Sequence, residues 1–235
     1  AILARVKVMA GLNVSERRLS QDGRITSTIG GRKVDFRVSS IPTSFGESIV
    51  CRVLDPRALK LGWELLGFEP NLVTRLIKTI EQPSGLFLVT GPTGSGKTTT
   101  LYTALSHLNK EGRKILTVED PIEYNLAGIE QVQVHEEVGM TFARALRAFL
   151  RQDPNIIMVG EIRDQETAEI ACRSALVGRM VLSTLHTNSP EAAKTRLMDL
   201  GIPEYIISDV LRGVLGQKLV PSPQGGLQLD ARLVC

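Results

Sequence analysis

The chain is poor in the residues that mark several common functions. Of its 235 residues, three are cysteine (Cys51, Cys172 and Cys235) and three are histidine. The cysteines stand far apart with no C-x-x-C pair, which leaves no zinc site of paired cysteines, and the odd count suits a reducing compartment. Aromatic residues make up 4% of the chain, and 28 Lys and Arg exceed 25 Asp and Glu by only three. With so small an excess, no basic block and few rings for bases to stack on, nothing points to nucleic acid. No apolar run nears the roughly 18 residues of a membrane-spanning helix. The opening AILARVKVMAGLNV holds neither an initiator Met nor the small-residue cleavage site of a signal peptide. It reads as an amphipathic helix, as in a piece of a longer protein.

What is present is ordinary globular material, 43% hydrophobic and 23% charged, in a chain long enough for a sizeable core. Two styles of patterning meet between residues 55 and 70. Before that point apolar residues alternate: Ile25 and Ile29 share one face of a run, as do Val34, Phe36 and Val38, and Ile49, Cys51 and Val53. Gly30-Gly31 between the first two runs is a two-residue hairpin signal. Residues 1–55 therefore predict a helix and a small antiparallel sheet, with Arg24, Arg37 and Arg52 on the face away from the core.

After a linker over residues 56–69, residues 70–235 alternate strands with helices. LFLVTG leads into KTTTLYTALSHLNK, KILTVED into TFARALRAFLR, NIIMVGE into QETAEIACRSALV, and MVLSTLH into SPEAAKTRLMDLG. Such alternation predicts an α/β domain with a mainly parallel sheet covered by helices on both faces. Ser189, Pro190 and Glu191, with Gly201 beyond, mark the start and stop of the last of these helices. SPQGG near the end reads as loop or frayed tail.

Residues 91–98, Gly91-Pro92-Thr93-Gly94-Ser95-Gly96-Lys97-Thr98, fit G-x-x-x-x-G-K-S/T at every fixed position, between an apolar strand and a helix that continues through Thr99. Glycines there let backbone N–H groups wrap phosphates at the positive end of the helix. Lys97 reaches the β- and γ-phosphates of a nucleoside triphosphate, and the Thr98 hydroxyl binds Mg²⁺. Glu161, after the apolar run 156–159, is a carboxylate placed to hold Mg²⁺ directly or through water. Glu119 and Asp120 end another apolar run, and His186 ends a third. In an open α/β sheet, ligands bind outside the carboxyl ends of the strands. Strands ending near 90, 118, 160 and 184 deliver all these groups to one rim. Arg144, Arg147 and Arg151 form a helix stripe that reads first as a solvated or ion-paired face and second as a subunit interface; His107 and His135 read as ordinary polar residues.

The P-loop, TVEDPIEY, GIEQVQV, LRQDPNIIMVGEIRD-x-ETA and STLHTN together resemble the secretion ATPases, the assembly motors of type II secretion and type IV pilus systems, over nearly the whole chain from ERRLSQDGR to GQKLV. STLHTN and GIEQVQV are more similar to the secretion and pilus-extension branch than to the retraction branch. The resemblance implies a RecA-like ATPase domain joined to part of a small PAS-like α/β domain, assembling as a hexamer. It further implies ATP and Mg²⁺ as ligands, inner-membrane platform and adaptor proteins as partners, and a cytoplasmic place at the inner membrane without a membrane span. Glu119 and Asp120 fall in the family's aspartate box, where Glu119 orients or deprotonates the attacking water. Glu161 is its Walker B acid, and His186 belongs to its histidine box and senses the γ-phosphate. Arg24, Arg37 and Arg52 match arginines that reach nucleotide at a subunit boundary. Three departures stand out. The histidine box usually begins Gly-His, whereas this chain reads Gly178-Arg179, which leaves His186 to act alone or beside a permanent cation. The four-cysteine zinc module is absent, and SPQGGLQLDARLVC does not resemble the family's ending. A nucleotide-dependent switch without turnover and a nucleic-acid translocase on the same core are the alternatives.

Overall fold

Alternating apolar residues and a tight glycine turn set the architecture of the N-terminal part. The computed structural model describes residues 2–54, 61–222 and 225–235. The chain divides into two compact units, residues 1–60 and 61–235. Of the expected linker, residues 56–60 lie outside the described residues, while 61–69 fall in the second unit, where Trp63–Leu65 form a short 3-10 turn.

The first unit holds helix α1 (Ile2–Met9) and strands β1 (Gln21–Ile29), β2 (Arg32–Thr43) and β3 (Gly46–Leu54), an antiparallel sheet in the order β1-β2-β3. Gly30 and Gly31 take φ of +57° and +75°, the left-handed conformation that the favoured hairpin turn requires. The register sets Phe36 opposite Ile25 and Val53, and Val38 opposite Cys51, so the apolar runs share one face as expected. Burial on that face is partial: Ile25 and Val38 are buried with Ala10, whereas Ile29, Cys51 and Val53 are exposed. Helix α1 forms, but its inward side is not its apolar side. Ile2, Val8 and Met9 are exposed and Lys7 is buried, because the Lys7 ammonium reaches Glu47 Oε1 at 2.5 Å and the Glu16 carbonyl at 2.6 Å. A buried charge persists only when paired and hydrogen-bonded in this way.

The second unit continues with α2 (Pro70–Ile80), β4 (Gly85–Thr90), α3 (Lys97–Leu108), β5 (Ile115–Glu119), β6 (Glu130–Gln133) and α4 (Phe142–Phe149). It ends with β7 (Ile156–Val159), α5 (Gln165–Leu176), β8 (Met180–Leu185), α6 (Ala192–Asp199), α7 (Glu204–Val210), β9 (Leu211–Pro221) and β10 (Leu227–Val234). The seven strands lie in the order β10-β9-β4-β8-β7-β5-β6, parallel throughout except for the β9–β10 hairpin. Strands β4, β5, β7 and β8 are buried at every residue, which is why their sequences are near-continuous apolar runs. Leu86, Leu88, Val118, Val159 and Val181 face a core built by α4, α5, α6 and α7. Helices α2 and α3 pack against the alternate residues on the opposite side.

Helix α6 starts just after Ser189-Pro190-Glu191, with Glu191 at its N-cap and the Ser189 hydroxyl accepting the Ala192 N–H at 3.3 Å, and Gly201 follows the helix at φ +86°. SPQGG is not a frayed tail among the described residues: Ser222, Gly225 and Gly226 belong to the turn of the β9–β10 hairpin. Among the described residues no helix is long and apolar enough to cross a membrane.

Candidate active site

Because β4, β8, β7 and β5 are parallel neighbours, their carboxyl ends lie along one edge, with β8 between the P-loop strand and the strand that leads to Glu161. Lys97, Thr98, Glu119, Asp120, Glu161 and His186 line one cleft there. Residues 91–96 make the loop between β4 and α3, and Lys97, Thr98 and Thr99 form the first turn of α3. A side chain at Gly91 would begin 2.0 Å from the Gln217 carbonyl oxygen, so only glycine fits. At Gly96, φ is +86° and no side chain caps α3, so the first-turn N–H groups open toward the loop.

Lys97 Nζ lies across the loop, donating to the Gly91 and Pro92 carbonyls at 2.8 and 3.0 Å. Burial lowers its pKa and Glu161 opposes that shift. The Ser95 hydroxyl is buried with no hydrogen-bond partner. An orphaned hydroxyl beside uncapped N–H groups and a lysine is the donor set that a phosphate satisfies. For a hard divalent cation, the Thr98 hydroxyl and the Glu161 carboxylate supply oxygen ligands at the same edge, enough for Mg²⁺ shared with phosphates. Among the described residues no group of three or more His, Cys, Asp or Glu is placed to hold a metal by itself.

Glu161 is bracketed by two bases: Arg163 pairs with Oε1, and His186 Nε2 lies 3.3 Å from Oε2. Glu119 is 3% exposed and accepts hydrogen bonds from Tyr102, Thr117 and Gln131. In the first unit, register places Arg24 opposite Arg37 and Arg37 opposite Arg52, a row of three across the sheet on the face away from Ile25 and Val38.

Arg179 does not join His186. It precedes β8 while His186 follows it, so a six-residue strand, roughly 20 Å, separates them. The Arg179 guanidinium instead binds Asp153 Oδ1 at 3.0 Å and the Val177 carbonyl. The idea of a shared sensing role for Arg179 is therefore corrected. Arg147 pairs with Glu166 of α5, Arg151 bonds the Arg147 carbonyl and Arg144 the Gly139 carbonyl. His107 rests edge-on against Trp63 and bonds Glu81 at 3.1 Å.

Sequence reasoning passed over four residues that shape the cleft: Tyr102, Gln131, Arg163 and Gln217. Gln217, in β9, donates to the Ser95 carbonyl at 2.6 Å and accepts from the Thr100 hydroxyl at 2.9 Å, tying the P-loop to the sheet. A glutamine and a lysine interrupting the apolar residues of VLGQKLV were the available signal.

Residues 1–226 match the family model described as Type II/IV secretion system protein. Type II secretion system protein E of Pseudomonas aeruginosa is 56% identical over 219 residues, covering 93% of this chain and 44% of that protein. Type II secretion system ATPase E of Vibrio cholerae is 55% identical over 219 residues, with 93% and 44% covered. The chain thus spans less than half the length of these curated relatives. The crystal structure of the pilus retraction motor PilT with bound ADP superposes with a TM-score of 0.80 at 33% identity, covering 92% of this chain and 64% of that one. With the strand order, this likeness marks the second unit as a RecA-like core.

Proposed function

Because the chain belongs to the type II/IV secretion system protein family, we propose that it hydrolyses ATP within a hexameric motor that powers type II protein secretion or type IV pilus assembly. The observation that carries this reading is the convergence of the P-loop, Glu119, Glu161 and His186 on one cleft. ATP reacts with water: the water oxygen bonds to the γ-phosphorus while the bond to the ADP oxygen breaks, and charge spreads over the equatorial oxygens. Lys97 exchanges its two loop carbonyls for the β- and γ-phosphates, where a cation meets the developing charge. Thr98 and Glu161 would hold the Mg²⁺ that neutralises those phosphates. Glu119 orients the attacking water, and His186, half-exposed beside Glu161, senses the γ-phosphate.

The arginine row supports a role for the first unit. Three guanidinium groups on one face of the sheet are donors and charges that a phosphate group would accept. Arg24, Arg37 and Arg52 would contact nucleotide held by a neighbouring subunit, which makes a ring the working form. Inner-membrane platform and adaptor proteins would hold the motor on the cytoplasmic side.

Phosphate release by Lys97→Ala and Glu161→Gln proteins tests the site; each should lose about a hundredfold or more. Wild-type turnover in either would overturn the assignment. Native mass measured with and without a non-hydrolysable ATP analogue tests the ring, and six subunits are expected with the analogue bound.

A further inference from the structure

GIEQVQV contributes no residue to the lining of the cleft, yet one of its side chains reaches the catalytic edge. Gln131, in β6, donates from Nε2 to Glu119 Oε1 and to the Tyr124 carbonyl, both at 3.0 Å, and accepts the Leu126 N–H at 2.6 Å. The Thr117 hydroxyl reaches the same Glu119 oxygen at 2.5 Å. On the other oxygen, the Tyr102 hydroxyl donates to Oε2 and accepts the Glu123 N–H at 3.3 Å. Tyr102 is fully buried in the P-loop helix α3, and burial together with Glu119 keeps its hydroxyl protonated by raising its pKa far above the usual phenol range.

An ionised carboxylate offers about four lone-pair sites. Among the described residues Tyr102, Thr117 and Gln131 occupy three, and the second site on Oε2 is available to the cleft that Glu119 lines. The group is held from three directions: the P-loop helix through Tyr102, its own strand through Thr117, and the edge strand through Gln131. Tyr102 and Gln131 also fasten the backbone at Glu123, Tyr124 and Leu126, so the loop beyond Glu119 is tied to the helix that opens at Lys97. A free carboxylate turns about its terminal torsion over a broad well. Hydrolysis needs it in one orientation, and misplacement by about 1 Å can cost a hundredfold in rate.

We propose that Tyr102 and Gln131 are positioning residues for hydrolysis, fixing the Glu119 carboxylate so that its remaining lone pair meets the attacking water. The proposal rests on the water-orienting role given to Glu119. Neither side chain touches the reacting atoms; each acts through Glu119.

The test uses the protein at its full natural length. Tyr102→Phe and Gln131→Met should each lower kcat by about tenfold to a hundredfold, while KM and the binding of a fluorescent non-hydrolysable ATP analogue stay within about twofold. Each substitution is then repeated on Glu119→Gln. If Tyr102 and Gln131 act only through Glu119, neither causes a further loss on that background. A loss of equal size on both backgrounds would show that they serve packing or another group, and would overturn the proposal. So would full turnover in both single variants beside a slow Glu119→Gln protein. Full turnover in Glu119→Gln would remove the role of Glu119 itself, and the proposal with it. Retained analogue binding in either of the two variants shows that the fold survives, so one unstable substitution leaves the other to decide.

Discussion

Gln217→Ala is the perturbation whose size follows most directly from the structure. Gln217 is 4% exposed and makes two buried hydrogen bonds, to the Ser95 carbonyl and from the Thr100 hydroxyl. Their net worth is about 1 kcal/mol each. Truncation also leaves both partners dry. The Thr100 hydroxyl has a second acceptor available, the carbonyl four residues back in its own helix, so it adds little. The Ser95 carbonyl has no such recourse, and an unsatisfied buried group costs about 1–3 kcal/mol. The sum is a loss of about 3–5 kcal/mol, measurable as a lower urea midpoint at unchanged slope. Ser95 sits in the P-loop, so affinity for a non-hydrolysable ATP analogue should fall as well, about tenfold for each 1.4 kcal/mol that reaches the bound state. Gln217→Glu sharpens the test. It keeps the volume but turns an oxygen toward the Ser95 carbonyl and adds negative charge near the phosphate site, so it should bind nucleotide worse than the alanine variant. A Gln217→Ala protein that unfolds within about 0.5 kcal/mol of wild type, the range of ordinary surface substitutions, refutes the reasoning.

Other consequences can be checked independently. Lys7→Met strips Glu47 of its buried counter-ion and should cost the first unit about 3 kcal/mol, read as faster amide exchange in β1–β3; adding Glu47→Gln should recover most of it. Cys172 is buried and its pKa is pushed up to about 11, so at pH 8 its thiolate fraction is about a hundredfold below that of a thiol near 9. Alkylation followed by mass spectrometry should find Cys51 and Cys235 modified well before Cys172, and reactivity at Cys172 should rise as pH climbs toward 11. Arg179→His should leave turnover unchanged, because that side chain sits at the opposite end of β8 from His186; a change in turnover above twofold would contradict the placement.

How much of this was legible follows from which physical signal each part carries. Strands β4, β5, β7 and β8 are buried on both faces, so each announces itself as an apolar run. The rule that ligands gather at strand carboxyl ends then puts Lys97, Glu119, Glu161 and His186 together without any coordinates. The hairpin β9–β10 lacked that signal. Gly216 lies where a side chain would begin 2.7 Å from Pro190, and Gln217 and Lys218 follow it, so close approach and P-loop contacts overrode the hydrophobic pattern. Helix α1 misled for a related reason. Apolar periodicity assumes that lysine faces water, and the pairing of Lys7 with Glu47 reverses the helix's inward side.

Three of the residues that sequence reasoning missed share one property. Tyr102, Gln131 and Gln217 are polar side chains within helices or strands, each spending its hydrogen bonds on a functional segment rather than on solvent. A P-loop and two acids can be found by spacing because their spacing along the chain is local. Their supports come from α3, β6 and β9, which are distant in sequence and adjacent only in the folded sheet. A buried polar group must find a partner, so a glutamine inside an apolar strand already implies one. What the sequence withholds is the partner's identity, and the strand order supplies it: β9 lies beside the P-loop strand, and β6 beside the strand that ends in Glu119. The edge of the cleft is therefore a local motif carried by non-local supports. Substitutions at the supports should separate positioning from chemistry in a way that substitutions at Lys97 or Glu161 cannot.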